Sequence, residues 1–251
     1  MKHIIITGHS KGLGAGITTA LIDENHHIHG ISRTDNTDLQ KLAAAKGCKI
    51  NFYSCNLSHT DTIEPIMKLV FENILHEDCE GIYLINNAGV IKPIGPIETL
   101  EQAQMDLHMM INLLAPMYII KEFVKHFSDW KTEKRILNIS SGAAINPYHG
   151  WSNYCTGKAG LDMFTRCIAT EQEDKKYPVK LMAVAPGIID TDMQTTIRGT
   201  TDAQFIHKQK FVELKESGQL IAPNLAGKKL KELLFSANFK NGDITDIRDK
   251  Y

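Results

Sequence analysis

Tyr154 and Lys158 stand four residues apart in a stretch of helical periodicity, which puts a phenol and an ammonium on one helix face. Ser141 lies upstream, where the apolar run RILNIS gives way to the small-residue turn SGAA that includes Ala143. A phenol, a cation and a hydroxyl gathered at one sheet edge suit the delivery of a proton to an oxygen whose carbon is being reduced. An unperturbed tyrosine titrates at about 10. A neighbouring cation stabilises the phenolate and lowers that value, which brings proton transfer within reach of neutral pH. Lys158 is expected to act in this way on Tyr154, and Ser141 to hydrogen-bond the substrate oxygen as negative charge develops there. Pro147, Tyr148 and Trp151 lie between Ser141 and Tyr154. They could form the wall of an apolar pocket for a planar substrate, or Tyr148 and Trp151 could pack beneath an opposite loop or at a subunit contact. Met193 and Ile197 are candidates for the facing wall. His149 receives no role, and Cys155 should point away from the phenol beside it.

A second centre opens the chain. The run HIIIT empties into Thr7-Gly8-His9-Ser10-Lys11-Gly12-Leu13-Gly14, and a periodic helical stretch follows. Glycines at Gly8, Gly12 and Gly14 allow a tight turn, close backbone approach to a pyrophosphate and close helix–strand packing. The helix N-terminus then presents unpaired N–H groups to phosphate, with Ser10, Lys11 and Leu13 in the same turn. The end of the second strand reads Gly30-Ile31-Ser32-Arg33-Thr34-Asp35. An NAD site places a carboxylate about 20 residues beyond the glycines. Here Ser32 could donate to a ribose 2′-phosphate and Arg33 could add a charge-assisted contact, with Lys11 facing the same group. NADP(H) is therefore the expected cofactor; Asp35, turned inward, would favour NAD.

These residues need elements to hold them, and the pattern supplies an alternation. Strands are expected at His3–Thr7, Ile28–Ile31, Ile50–Tyr53, Gly81–Ile85, Ile136–Ile139 and Val179–Ala185. Helices are expected at Leu13–Glu24, Leu39–Lys46, Asp61–Leu75, Met105–Phe127 (interrupted at Pro116) and Tyr154–Gln172. That rhythm indicates βαβ units and a parallel sheet covered on both faces, a doubly wound α/β fold. No linker divides the chain, so residues 1–251 read as a single domain. Residues 188–221 break the rhythm and read as a substrate-loop excursion beyond a strand end. Asn241–Ile247 reads as a turn into a last short strand.

Composition excludes more than it proposes. With 43% hydrophobic and 23% charged residues and a formal charge of −1, the chain shows no basic footprint for nucleic acid. No run of 18 apolar residues suggests a membrane span, and the first residues enter a strand pattern without a leader, so a cytoplasmic location is expected. The five cysteines form no CxxC pair or zinc-like cluster; reduced thiols and no metal are expected.

Taken as an ordered set, TGHSKGLG, NNAG at 86–89, Asn112, Ser141, YCTGK at 154–158 and PG at 186–187 followed by Thr191 resemble the short-chain dehydrogenase/reductase family over nearly the whole chain. The resemblance implies a Rossmann-type sheet in the order 3-2-1-4-5-6-7. It implies a Ser–Tyr–Lys site completed by Asn112, which would distort its helix and hold a water leading from Lys158. Lys158 would also hold the nicotinamide ribose. Further cofactor contacts implied are Asn56 and Leu57 at the adenine, Asn86, Asn87, Ala88 and Gly89 along the ribose side, and Pro186, Gly187, Ile188, Ile189 and Thr191 near the nicotinamide. Asn56 departs from the aspartate usual at that position. Two long helices would pair copies into a dimer or tetramer. The segments NISSGAAINPYHGWSNYCTGKAGLDMFTR and APGIIDTDMQ are similar to the branch of bacterial benzil reductases, itself similar to sepiapterin reductases. The expectation is an NADPH-dependent reductase of a ketone or 1,2-diketone. The alternatives are a pterin-type reductase, an alcohol dehydrogenase working oxidatively, or a cofactor-binding regulator without chemistry.

Overall fold

The computed structural model describes residues 1–77 and 79–249. Seven parallel strands form one sheet in the order β3-β2-β1-β4-β5-β6-β7, as the resemblance implied. They are β1 (Lys2–Thr7), β2 (His26–Ser32), β3 (Lys49–Ser54), β4 (Gly81–Asn86), β5 (Glu133–Ile139), β6 (Lys180–Ala185) and β7 (Ile244–Asp246). The central strands are apolar runs because both faces are covered. Ile4, Ile6 and Ile28 face a layer built by Ile17 and Leu21 of α1 (Gly12–Leu21), Leu39 of α2 (Thr37–Ala45) and Leu230 and Leu234 of a C-terminal helix, Pro223–Phe235. Ile5, Ile31, Ile82 and Leu84 face Met67 and Val70 of α3 (Ile63–Phe71) and Ile119, Phe123 and Phe127 of a helix at Ala115–Phe127.

Several boundaries differ from the sequence reading. The third helix stops at Phe71, short of Leu75, because Glu72–Asn73 turn away from it. The long helix is not broken at Pro116. It runs as α4 (Gln102–Met109), a π-helical turn (Met110–Leu114) and α5 (Ala115–Phe127), with Pro116 in the first turn of α5, where its missing N–H costs nothing. Gln102–Phe127 is long and apolar enough to cross a membrane by composition alone; its apolar face is spent on the sheet, where Ala115, Ile119, Ile120, Phe123 and Phe127 are buried. Then follow α6 (Ser152–Gln172), α7 (Asp192–Arg198) and α8 (Lys208–Glu216). The helix α9 (Pro223–Phe235) was not foreseen. It crosses α1 so closely that a Cβ on Gly16 would stand 2.2 Å from Pro223 O, and one on Gly227 would stand 2.2 Å from Gly16 O. Each glycine is the condition for the other's helix to sit there.

Two features turn this sheet toward a site. The chain order reverses between β1 and β4, so a crevice opens beyond their C-terminal ends. The excursion is pinched at its base: Ile221 N donates to Ile188 O at 2.9 Å and Asp190 N to Ile221 O at 2.9 Å. Contrary to an irregular reading, it carries the two helices α7 and α8 between those ends.

Candidate active site

The crevice is walled by two loops bolted together. Asn87 Nδ2 donates to Thr7 O (3.0 Å) and Gly8 O (3.1 Å), while the Asn87 and Ala88 amides both donate to Thr7 Oγ1 at 3.1 Å. Gly8 and Gly12 have φ of 67° and 51°, the left-handed region that glycine enters without a Cβ penalty. A Cβ on Gly14 would lie 1.9 Å from Gly8 O. The first turn of α1 has no side-chain cap and no acidic residue, so its amides and the positive end of the helix dipole face the crevice unopposed. Across from it, a Cβ on Gly12 would meet Thr191 Cγ2 at 3.1 Å, and one on Gly89 would stand 3.7 Å from Lys158 Nζ. Bare backbone thus runs from the glycine turn to Lys158. That cradle fits a dinucleotide: pyrophosphate at the α1 amides, with Thr191 opposite, and a ribose between Gly89 and Lys158. When bound, a reduced nicotinamide supplies hydride.

Asn86 does not join this wall. Its side chain turns into the sheet, where Nδ2 donates to Asn138 Oδ1 at 2.8 Å; Asn138 Nδ2 donates to Thr165 Oγ1 at 2.8 Å, and Thr165 to Leu161 O. This buried polar chain crosses β4 and β5 into α6 and fixes the helix that carries Tyr154. Neither Asn138 nor Thr165 is distinguishable from an ordinary strand or helix residue in the sequence.

Tyr154 and Lys158 share one buried face of α6, with Asp162 one turn further on. Burial pushes the Tyr154 phenol up from its ordinary value, and a hydrogen bond with Ser141 works against that rise. Ser141 Oγ also accepts from Ala143 N at 3.1 Å, which orients the hydroxyl. Lys158 Nζ donates to Ile139 O at 2.7 Å and lies 5.9 Å from the centre of the Tyr154 ring. Burial lowers Lys158 to about 8, with Asp162 acting in the opposite direction. The ammonium is directed at a backbone carbonyl, and desolvation dominates at the phenol.

Asn112 lies in the π turn, and its side chain is fully engaged. Oδ1 accepts from Val90 N (2.8 Å), while Nδ2 donates to Val90 O (2.7 Å) and His108 Nε2 (2.8 Å). Both Nδ2 protons are thus committed, and the side chain clamps the loop after β4. His108, absent from the sequence reading, completes the clamp through its Nδ1 and Lys92 O at 2.7 Å. Bonded this way, its Nδ1 carries the proton, and burial keeps the ring neutral by lowering its pKa.

The aromatic wall forms, with members the sequence did not single out. Trp151 stacks on Phe205 (4.5 Å, 10°) and meets the Tyr154 ring edge-on at 5.6 Å. Ala143, Ile197, Phe211, Ile91 and Ile94 complete the buried cluster, with Tyr148, Ile188 and Met193 packed against it. Trp151 borders Tyr154, and both rings pack beneath the excursion, Trp151 on Phe205 and Phe211 and Tyr148 against His207. Phe205 and Phe211 carry no motif, and only the folding back of the excursion brings them here. Trp151 Nε1 is buried without a hydrogen-bond partner among the described residues.

At the β2 end, Lys11 and Arg33 are exposed. Ser32 is not available as the expected donor, because its hydroxyl proton goes to Thr34 O at 2.6 Å. Asp35 accepts from Asn36 N at 2.7 Å and lies 3.6 Å from His9 Nε2. Asn56 caps its own turn, accepting from Ser58 N at 3.3 Å; Leu57 is buried, and Pro186, Gly187 and Ile189 lie at the excursion's base.

Fold, cradle and tyrosine–lysine helix together define a nucleotide-dependent oxidoreductase class, and the chain belongs to the short-chain dehydrogenase/reductase family. The short chain dehydrogenase family profile matches residues 2–202. The chain is 44% identical over 247 residues to "Benzil reductase ((S)-benzoin forming)" of Bacillus cereus, covering 98% of this chain and 99% of that one. It is 28% identical to the sepiapterin reductase of Meriones unguiculatus, covering 98% and 95% of the two chains. The solved structure of the KRED1-Pglu enzyme superposes with a TM-score of 0.82 at 26% identity, covering 97% of this chain and all of that one.

Proposed function

We propose that the protein is an NADPH-dependent carbonyl reductase acting on a ketone or 1,2-diketone of the benzil type, and that residues 1–251 form one dinucleotide-binding domain. The observation that carries this reading is the convergence of Tyr154, Ser141 and Lys158 between bare Gly89 and an aromatic wall. Tyr154 acts as a neutral acid: a phenol whose pKa is raised stays protonated at neutral pH and gives its proton only to an oxygen becoming an alkoxide. Ser141 donates to that same oxygen. Lys158 holds the ribose and supplies the cation that the phenolate, once formed, can draw on. Asn112 supports the proton path indirectly, through the π turn that it anchors to Val90. Ala143, Tyr148, Trp151, Met193 and Ile197, with Phe205, form an apolar pocket wall suited to a planar aryl substrate.

NADPH is favoured over NADH by the two exposed cations, Lys11 and Arg33, at the expected 2′-phosphate position. The apolar residues Leu107 and Met110 and the ring of Tyr118 on the long helix, with Met163 on α6, are exposed and form the face for pairing into a dimer or tetramer. A cytoplasmic location agrees with reduced thiols and a reduced cofactor. The test is an NADPH-oxidation assay over benzil, other diketones, quinones and a pterin, with product chirality determined. Turnover of benzil to benzoin supports the reading; a pterin as the sole good substrate would transfer it to the sepiapterin-type alternative.

A further inference from the structure

Two interior strands, β1 and β2, carry a cluster outside the site that is proposed for reduction. β1 and β2 pair in parallel with His3 opposite His27 and Ile5 opposite His29. Alternate residues of a strand share a face, so His27 and His29 project to the same side as His3. Their rings are 4.2 Å apart (His27–His29), 5.3 Å (His3–His27) and 5.4 Å (His3–His29) between centroids.

We propose that His3, His27 and His29 form a binding site for one divalent transition ion of the zinc, cobalt and nickel class. The three candidate ligand nitrogens lie within 4.8 Å of one another, and His3 Nδ1 and His29 Nε2 share a hydrogen bond at 3.1 Å whose proton the ion would displace to solvent. Nitrogens around a tetrahedral zinc at about 2.0–2.1 Å are about 3.3 Å from each other. One pair thus has the required spacing, and the third ring has only to swing inward. That ring is His27, the half-buried member, whose Nε2 is enclosed with no hydrogen-bond partner among the described residues. A metal ion would satisfy that nitrogen, which otherwise bears the cost of an unpaired buried polar atom.

Outer contacts orient the ligands. Tyr53 Oη lies 3.3 Å from His29 Nδ1, and Asn51 Nδ2 donates to that phenol at 3.4 Å. His29 is thereby left with its Nε2 facing His3, the arrangement in which the second ring nitrogen of a ligating histidine is held by a neighbour. Three imidazoles without a carboxylate select borderline ions over magnesium or calcium. Two groups oppose binding at His27: the Asn51 side chain, which hydrogen-bonds the ring, and the Lys49 charge; Lys49 is exposed and can turn into water. Bound there, the ion would clamp β1 to β2 far from Tyr154, so its effect is on stability.

The experiment titrates the tag-free chain with Co²⁺, read by d–d absorption, and with Zn²⁺ in competition, alongside thermal melting. One equivalent bound at micromolar ion, with a rise in Tm of several degrees, is the expected result. His27→Gln, at the half-exposed member, should weaken binding by about tenfold or more and leave circular dichroism and turnover unchanged. His29→Gln should act alike, provided that its spectrum shows it folded. The proposal is overturned by no stoichiometric binding at about 100 µM ion, by binding that His27→Gln does not alter, or by a thiolate-to-cobalt charge-transfer band, which would place the ion on cysteine. It stands or falls independently of the substrate and cofactor reading.

Discussion

His9 Nε2 stands 3.6 Å from Asp35 Oδ1, joining the glycine turn to the loop after β2, beside the proposed 2′-phosphate position. Ser32 spends its proton on Thr34 O, so the 3.1 Å contact between Ser32 Oγ and His9 Nδ1 has the histidine as donor. Nε2 then carries a proton only in the imidazolium form. Burial lowers the pKa of His9, and Asp35 raises it. His9→Leu should release Asp35 toward a 2′-phosphate and lower the NADPH-to-NADH ratio of kcat/KM by about threefold or more through like-charge repulsion. Asp35→Asn should raise that ratio. Steady-state kinetics with both cofactors decides; an unmoved ratio in both variants would separate this contact from cofactor choice.

Arg33→Ala should reduce kcat/KM with NADPH by about ten- to a hundredfold and leave NADH use nearly unchanged, since a charge-assisted contact to phosphate is worth about 1.5–3 kcal/mol. Equal losses with both cofactors would assign Arg33 to the fold.

Tyr154→Phe should keep NADPH affinity, read by fluorescence quenching, and lose about a thousandfold or more in kcat, the loss expected on removing a positioned acid. Near-normal turnover would remove Tyr154 from its role. The neighbouring charges predict the alkaline limb. Burial holds Lys158 at about 8 and Asp162 props it up. Reduction should therefore decline as pH rises past about 8 and the ammonium is lost. Asp162→Asn, which deletes the raising influence, should move that limb to lower pH without changing the acid limb.

Phe205→Ala should raise KM for a diaryl diketone about fivefold or more while NADPH binding persists, because the ring that Trp151 stacks on lies in the proposed substrate wall and outside the glycine cradle. Loss of cofactor affinity in step with KM would show instead that the excursion supports the whole crevice.

Stability should fall on mild acidification. His9, His26, His27, His29 and His108 all have pKa values lowered by burial. Their unfolded-state value is about 6.5. Above it these rings are neutral in both states and cost nothing. As pH falls below it, the unfolded chain takes up protons that the folded chain refuses, and each such ring removes about 1.4 kcal/mol per pH unit until its folded pKa is reached. Urea midpoints at pH 7.5 and 5.5 test this, and a flat profile would refute it. His29→Gln should lessen the slope.

The succession of strands and helices from β1 to β6, the glycine turn and the tyrosine–lysine face were legible in the chain because each is a local pattern. Apolar runs, a 3.6-residue period and small residues at a turn act over a few positions, and Tyr154 and Lys158 need only one helix to be neighbours. Sequence could not disclose relations that depend on register and on the chain folding back. Asn86 and Asn87 are adjacent and nearly identical in chemistry, yet strand pleat sends one into the Asn138–Thr165 chain and the other to the crevice. Phe205 reaches Trp151 only because the Ile188–Ile221 pairing closes the excursion. The partner of Lys158 was hidden for the same reason: its ammonium donates to the carbonyl of Ile139, which comes from a different element and lies 19 residues away in the chain. Likewise His3 meets His27 and His29 only through the pairing of two strands, a parallel register that no local pattern encodes.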